Sequence, residues 1–190
     1  MNVIIVHGSN PRDKFRLNSP EYIPQNKKNW IPWLKEKLEE KNIKVDAPLM
    51  PESWNPKYEN WKNEFKKLEI NDKSILVGLS AGSAFLLRYL SETNIKIKKL
   101  VLVACAFLMG EGSEFLREFY NFKLDKDLEK RIGNIIVFAT NNDRPQFLEG
   151  AKIIRDKFGA ELIELKDKGH FTEKHMGTKE FPELLEKVLE

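Results

Sequence analysis

The sequence predicts an α/β fold, a compact three-layer α/β/α domain built on about six mainly parallel strands, with all of residues 1–190 in one unit. Two observations carry this. Short, wholly apolar runs such as Val3-Ile4-Ile5-Val6 and Leu100-Val101-Leu102-Val103-Ala104 read as strands covered on both faces, the mark of a parallel sheet. Between them lie longer segments with apolar residues at helical spacing and charges opposite.

In order, Val3–Val6 is the first strand, ending in His7-Gly8-Ser9-Asn10-Pro11, and the proline-punctuated stretch from Pro11 to Gln25 is a loop. Asn29–Lys41 is a helix whose Trp30, Trp33, Leu34 and Leu38 share a packing face. Ile43–Ala47 is a strand, Pro48–Pro56 a loop, and Lys57–Leu68 an amphipathic helix. Ser74–Leu79 is a strand that delivers Ser80, and the helix after it runs to about Glu92, with an opening rich in small residues that suits burial against the sheet. Leu100–Ala104 is the fourth strand. From Ala106 to Arg131 the aromatics stand among glycines and charges, which suggests short helices and a small cap. Asn134–Ala139 is a strand, Gln146–Phe158 a helix, Leu162–Leu165 the last strand and Phe181–Leu189 the closing helix.

Composition narrows the function. The 190 residues are 41% hydrophobic and 32% charged, ordinary for a globular domain, so a core forms and disorder is excluded. The net charge of +3 is too small to indicate the sign of a substrate, and lysines alternate with glutamates. No basic block stands free of acids, so no nucleic-acid partner is expected; Lys27-Lys28 and Lys96 to Lys99 read as solvated surface. The single Cys105 excludes an internal disulfide and, inside an apolar run, reads as a buried structural thiol. Val3 follows the start almost at once, with no basic leader and no apolar run of membrane-spanning length, so no membrane association and a cytoplasmic location are expected. No group of His, Cys and carboxylates has metal-ligand spacing and no phosphate loop or dinucleotide fingerprint is present, so neither metal nor cofactor is expected.

The chemistry centres on Val77-Gly78-Leu79-Ser80-Ala81-Gly82, a Gly-x-Ser-x-Gly pattern between strand and helix. Such a turn crowds the serine backbone, so the flanking positions need glycine, and the following helix points free N–H groups at the serine. A plain helix cap by Ser80 is the ordinary alternative. A serine nucleophile needs a base and the base an orienting acid. Of three histidines, His170 follows the last strand and is the expected base; His175 is a weaker candidate, and His7 suits shaping the oxyanion pocket. Asp143, after the preceding strand, is the expected acid, although it also suits capping the helix near Pro145; Glu111 or Glu114 are rivals. The N–H groups of Ala81 and of Ser9, or else Asn10, would stabilise an oxyanion. Phe107, Leu108, Phe115 and Phe119 are candidates for an acyl pocket, and each suits core packing as well.

With His7-Gly8, the serine turn, Asp143 and Gly169-His170-Phe171 in place, the sequence resembles the α/β-hydrolase superfamily over nearly its full length. More narrowly it is similar to the small retinoblastoma-binding protein 9-like serine hydrolases, which have no large lid domain. The resemblance implies a Ser80–Asp143–His170 hydrolase acting on small esters or activated amides through an acyl-serine. The family usually has proline directly after the acid, whereas Arg144 intervenes here. An acyltransferase or thioesterase on the same residues, and a non-catalytic protein-binding scaffold, are the alternative expectations.

Overall fold

The computed structural model describes residues 1–105, 108 and 116–190. Six strands form one sheet: β1 (Asn2–Val6), β2 (Lys44–Asp46), β3 (Ser74–Leu79), β4 (Ile97–Val103), β5 (Ile132–Thr140) and β6 (Glu161–Leu165), in the order β2-β1-β3-β4-β5-β6. Every neighbouring pair is parallel, so all six carboxyl ends lie along one edge. The helices are α1 (Ile31–Glu39), α2 (Tyr58–Phe65), α3 (Ala81–Ser91), α4 (Arg117–Tyr120), α5 (Pro145–Phe158), α6 (Glu173–Met176) and α7 (Pro182–Leu189).

The apolar strands make two cores, because successive side chains leave opposite faces. Ile4, Val6 and Leu76 pack with α2, α3 and α5, whereas Val3, Ile5, Ile75 and Val77 pack with α1 and α7. Trp30 is fully covered in the second core and Trp33 packs at its margin, as expected of a packing face. No helix among the described residues is long and apolar enough to cross a membrane.

The expected and observed elements differ in three instructive places. β4 begins at Ile97 rather than Leu100, so Lys98 and Lys99 lie inside a strand. Lys99 is not solvated: it is 3% exposed, and its Nζ donates to the Lys187 carbonyl at 2.6 Å. Burial pushes its amine below the ordinary lysine range. The stretch expected to be a loop from Pro11 to Gln25 contains a 3₁₀ turn, Pro11–Phe15, and leads to another, Gln25–Lys27. Its organiser is Asp13, a carboxylate with no exposed surface, which accepts from Gln25 Nε2 at 2.6 Å, Lys28 Nζ at 3.1 Å and Asn10 Nδ2 at 3.0 Å. Lys28 is therefore an ion-pair partner rather than free surface. The short α6, absent from the sequence expectation, is capped by Thr172.

Candidate active site

The strand order reverses direction at β1, with β2 added on one side and β3 on the other. Ligand crevices in open α/β sheets form outside the carboxyl ends of strands at such a switch. Ser9 follows β1 and Ser80 follows β3, and both line one cavity there.

Ser80 sits at φ 53° and ψ −117°, a conformation that costs a non-glycine residue about 1–3 kcal/mol. The surrounding backbone holds it. Its N–H donates to the Val103 carbonyl of β4 at 2.9 Å, and its own carbonyl accepts the Ser83 N–H at 2.9 Å. The flanking glycines are required by space: a Cβ on Gly82 would stand 2.2 Å from the Val6 carbonyl oxygen, and one on Gly78 2.8 Å from the Ser83 backbone. Ser80 makes no capping hydrogen bond to α3, so its hydroxyl is free to point elsewhere.

That hydroxyl lies 2.9 Å from His170 Nε2, and His170 Nδ1 lies 2.6 Å from Asp143 Oδ2. With Nδ1 donating to the carboxylate, Nε2 is the ring's acceptor and faces the serine proton. Asp143 does not cap α5, whose N-cap is Arg144; the other carboxylate oxygen accepts the Arg144 N–H at 2.8 Å. The Phe147 ring packs 4.6 Å from the imidazole, which limits its rotation.

Two features missing from the sequence expectation align this trio. Thr140, Asn141 and Asn142, at the end of β5, each accept a backbone N–H from the loop after β6. Thr140 Oγ1 takes Lys168 at 3.2 Å, Asn141 Oδ1 takes Asp167 at 2.9 Å, and Asn142 Oδ1 takes Gly169 at 2.8 Å. The loop carrying the acid is thereby stitched to the loop carrying the histidine. His175, weighed as a base, instead accepts the His170 backbone N–H on its Nδ1 at 2.9 Å. Phe171 next to it takes φ 52°, with its buried ring stacked 5.4 Å from Phe181. A polar residue run between strand and helix is the only trace of these ties in the sequence.

His7 is completely buried between the Gly8 carbonyl, 2.7 Å from Nδ1, and the Met50 N–H, which donates to Nε2 at 2.9 Å. Desolvation lowers its pKa to about 4, so the ring is neutral and clamps the turn after β1. That turn presents Ser9. The Asn10 N–H is engaged by the Ser53 carbonyl at 3.1 Å, whereas the Ser9 N–H has no acceptor among the described residues. Ala81 opens α3, and a helix leaves its first N–H groups unpaired.

The cavity beside Ser80 is about 200 Å³ and is lined by Leu108, Leu116, Tyr120 and Phe147. Of the four residues expected in an acyl pocket, Leu108 is there. Phe119 is not: it is fully buried with its ring 4.9 Å from Trp61, because the helical turn of α4 that exposes Tyr120 to the cavity turns Phe119 into the core. Phe107 and Phe115, like the rival acids Glu111 and Glu114, lie outside the described residues.

A parallel sheet of this order, with a serine on a strained turn between a central strand and its helix, defines the α/β-hydrolase fold. Within it the chain belongs to the serine hydrolase family, whose model matches residues 19–190. It is similar to YdeN of Bacillus subtilis (strain 168), 24% identical over 176 residues that cover 90% of this chain and 86% of that one. The crystal structure of the ydeN gene product superposes with a TM-score of 0.85 at 22% identity, covering 99% of this chain and 96% of that one. Est1E from Butyrivibrio proteoclasticus superposes at 0.63 with 15% identity, over 99% and 88% of the two chains. The methylesterase protein MES16 from Arabidopsis superposes at 0.58 with 15% identity, over 100% and 98%.

Proposed function

We propose that the chain hydrolyses small carboxylic esters through an acyl-Ser80 intermediate. The observation that carries the reading is the unbroken path from Asp143 through His170 to Ser80, at 2.6 and 2.9 Å. His170 Nε2 takes the Ser80 proton as Oγ bonds to the carbonyl carbon. The carbonyl oxygen becomes an oxyanion facing the N–H groups of Ala81 and Ser9. Collapse of that intermediate breaks the bond to the leaving alkoxide, which receives the proton from His170. Water then enters, gives its proton to His170, and repeats the sequence to release the acid. Asp143 holds the imidazole in the tautomer that these transfers need and stabilises its cation. Every proton is carried by a group of the chain.

The cavity of about 200 Å³ beside Ser80 supports a short acyl group and speaks against long-chain lipids. The name of MES16 as a methylesterase agrees with ester cleavage on this fold. The test is labelling by a fluorophosphonate probe. Wild type is expected to label, and Ser80→Ala and His170→Ala to lose labelling, with short-chain ester hydrolysis falling by at least about 10⁴-fold. A folded wild type that does not label would overturn the reading and leave a binding scaffold in its place.

A further inference from the structure

Beside the small cavity lies a second one of about 850 Å³, and Arg144 and His170 line both. The two spaces therefore have the imidazole as a common wall. The larger one also receives Arg12 and Arg16. Elsewhere three arginines are paired: Arg88 with Glu92 at 2.8 Å, Arg155 with Asp156 at 2.7 Å, and Arg131 with Asp125. Among the described residues, Arg12, Arg16 and Arg144 have no carboxylate partner within 4.0 Å. Among the described residues the one acid lining the same cavity, Asp143, has its oxygens committed to His170 and to the Arg144 N–H. A chain with a net charge of only +3 thus concentrates guanidinium groups that lack a carboxylate partner among the described residues around one space.

These groups stand on fixed supports. Arg12 stands within the 3₁₀ turn centred on the fully buried Asp13 and Arg16 closes it as C-cap, and Asn10 Oδ1 caps the Arg12 N–H at 3.2 Å. The Arg144 guanidinium lies over the Phe147 ring, 4.7 Å from its centroid. Guanidinium suits carboxylate and phosphate oxygens because its donors form a planar fork.

We infer that the larger cavity binds an anionic group on the leaving alcohol, so that the preferred substrate is a short acyl ester of a hydroxy acid or of a phosphorylated alcohol. This rests on the hydrolase reading and deepens it. His170 delivers its proton to the leaving oxygen, so the alcohol portion lies on the imidazole side and extends into the space that the arginines line, while the acyl portion occupies the small cavity beside Leu108, Leu116 and Phe147. The arginines act on binding and on steering of the substrate rather than on the acyl transfer itself.

The test compares three butyrate esters of similar size by the rate of butyrate release: monobutyrylglycerol, butyrylglycerol phosphate and 2-butyryloxypropanoate. At low salt kcat/KM for at least one anionic ester is expected to exceed that of the neutral ester by about tenfold, mainly through KM, with the preference shrinking as salt rises. Which anionic ester is favoured distinguishes phosphate from carboxylate. In Arg12→Met/Arg16→Met the anionic-to-neutral ratio is expected to fall towards one, and Arg12→Glu/Arg16→Glu should reverse it. Equal turnover of neutral and anionic esters by the wild type, or a preference that survives both replacements, would overturn the inference while leaving the hydrolase reading intact. Failure of all three esters together with an unlabelled Ser80 would overturn both.

Discussion

Burying His7 makes its neutral ring part of the fold's pH response. An unfolded imidazole titrates near 6.5, whereas the folded one, held between Gly8 and Met50, titrates at about 4. Between those values the unfolded chain takes up a proton that the folded chain refuses, so stability falls as pH drops through this window and is fully present above it. The contribution is about 3 kcal/mol. Urea unfolding of wild type and His7→Gln from pH 7.5 to 4 is expected to show a steeper acid loss for wild type; parallel curves would refute the assignment. At this scale the sequence was informative where the local pattern itself forces a geometry. Gly78, Ser80 and Gly82 declare a strained turn by spacing alone, and His170 and Asp143 are found by their place after strands. The clamp on His7 was not legible, since Met50 comes from 43 residues away and offers only a backbone N–H.

Elements are joined at the site by side chains whose identity looks like generic loop chemistry. Thr140, Asn141 and Asn142 hold Lys168, Asp167 and Gly169, so the positions of Asp143 and His170 are set together. Removing one tie should loosen the His170 imidazole without removing it. Asn142→Ala is expected to slow acylation of Ser80 about tenfold with KM little changed, read from the rate of fluorophosphonate labelling and from kcat. An unaltered labelling rate would show that the remaining ties suffice. The strands and long helices were legible because their periodicity is dictated by which faces are covered. The turn at Pro11–Phe15 and the start of β4 were not, because Asp13, Lys28 and Lys99 are charged residues whose burial depends on partners distant in the chain.

The whole molecule is one sheet shared by two cores, so neither face folds alone. Phe85 anchors one core against Tyr58, Trp61 and Phe65, and Phe181 anchors the other against Trp30, Phe138 and Phe171. Phe85→Leu and Phe181→Leu should each cost about 1–2 kcal/mol, add in the double variant, and leave a single transition by near- and far-ultraviolet circular dichroism. Two separable transitions would contradict a shared framework. The parallel sheet was legible as a whole because strands buried on both faces have no polar side to display. The same covering has a use for experimenters in the lone Cys105, which has no exposed surface and a thiol that burial keeps protonated. Alkylating reagents reach that sulfur only when the packing that covers it opens, so the native chain carries its own stopwatch: the labelling rate counts opening events, with no substitution needed to install the reporter.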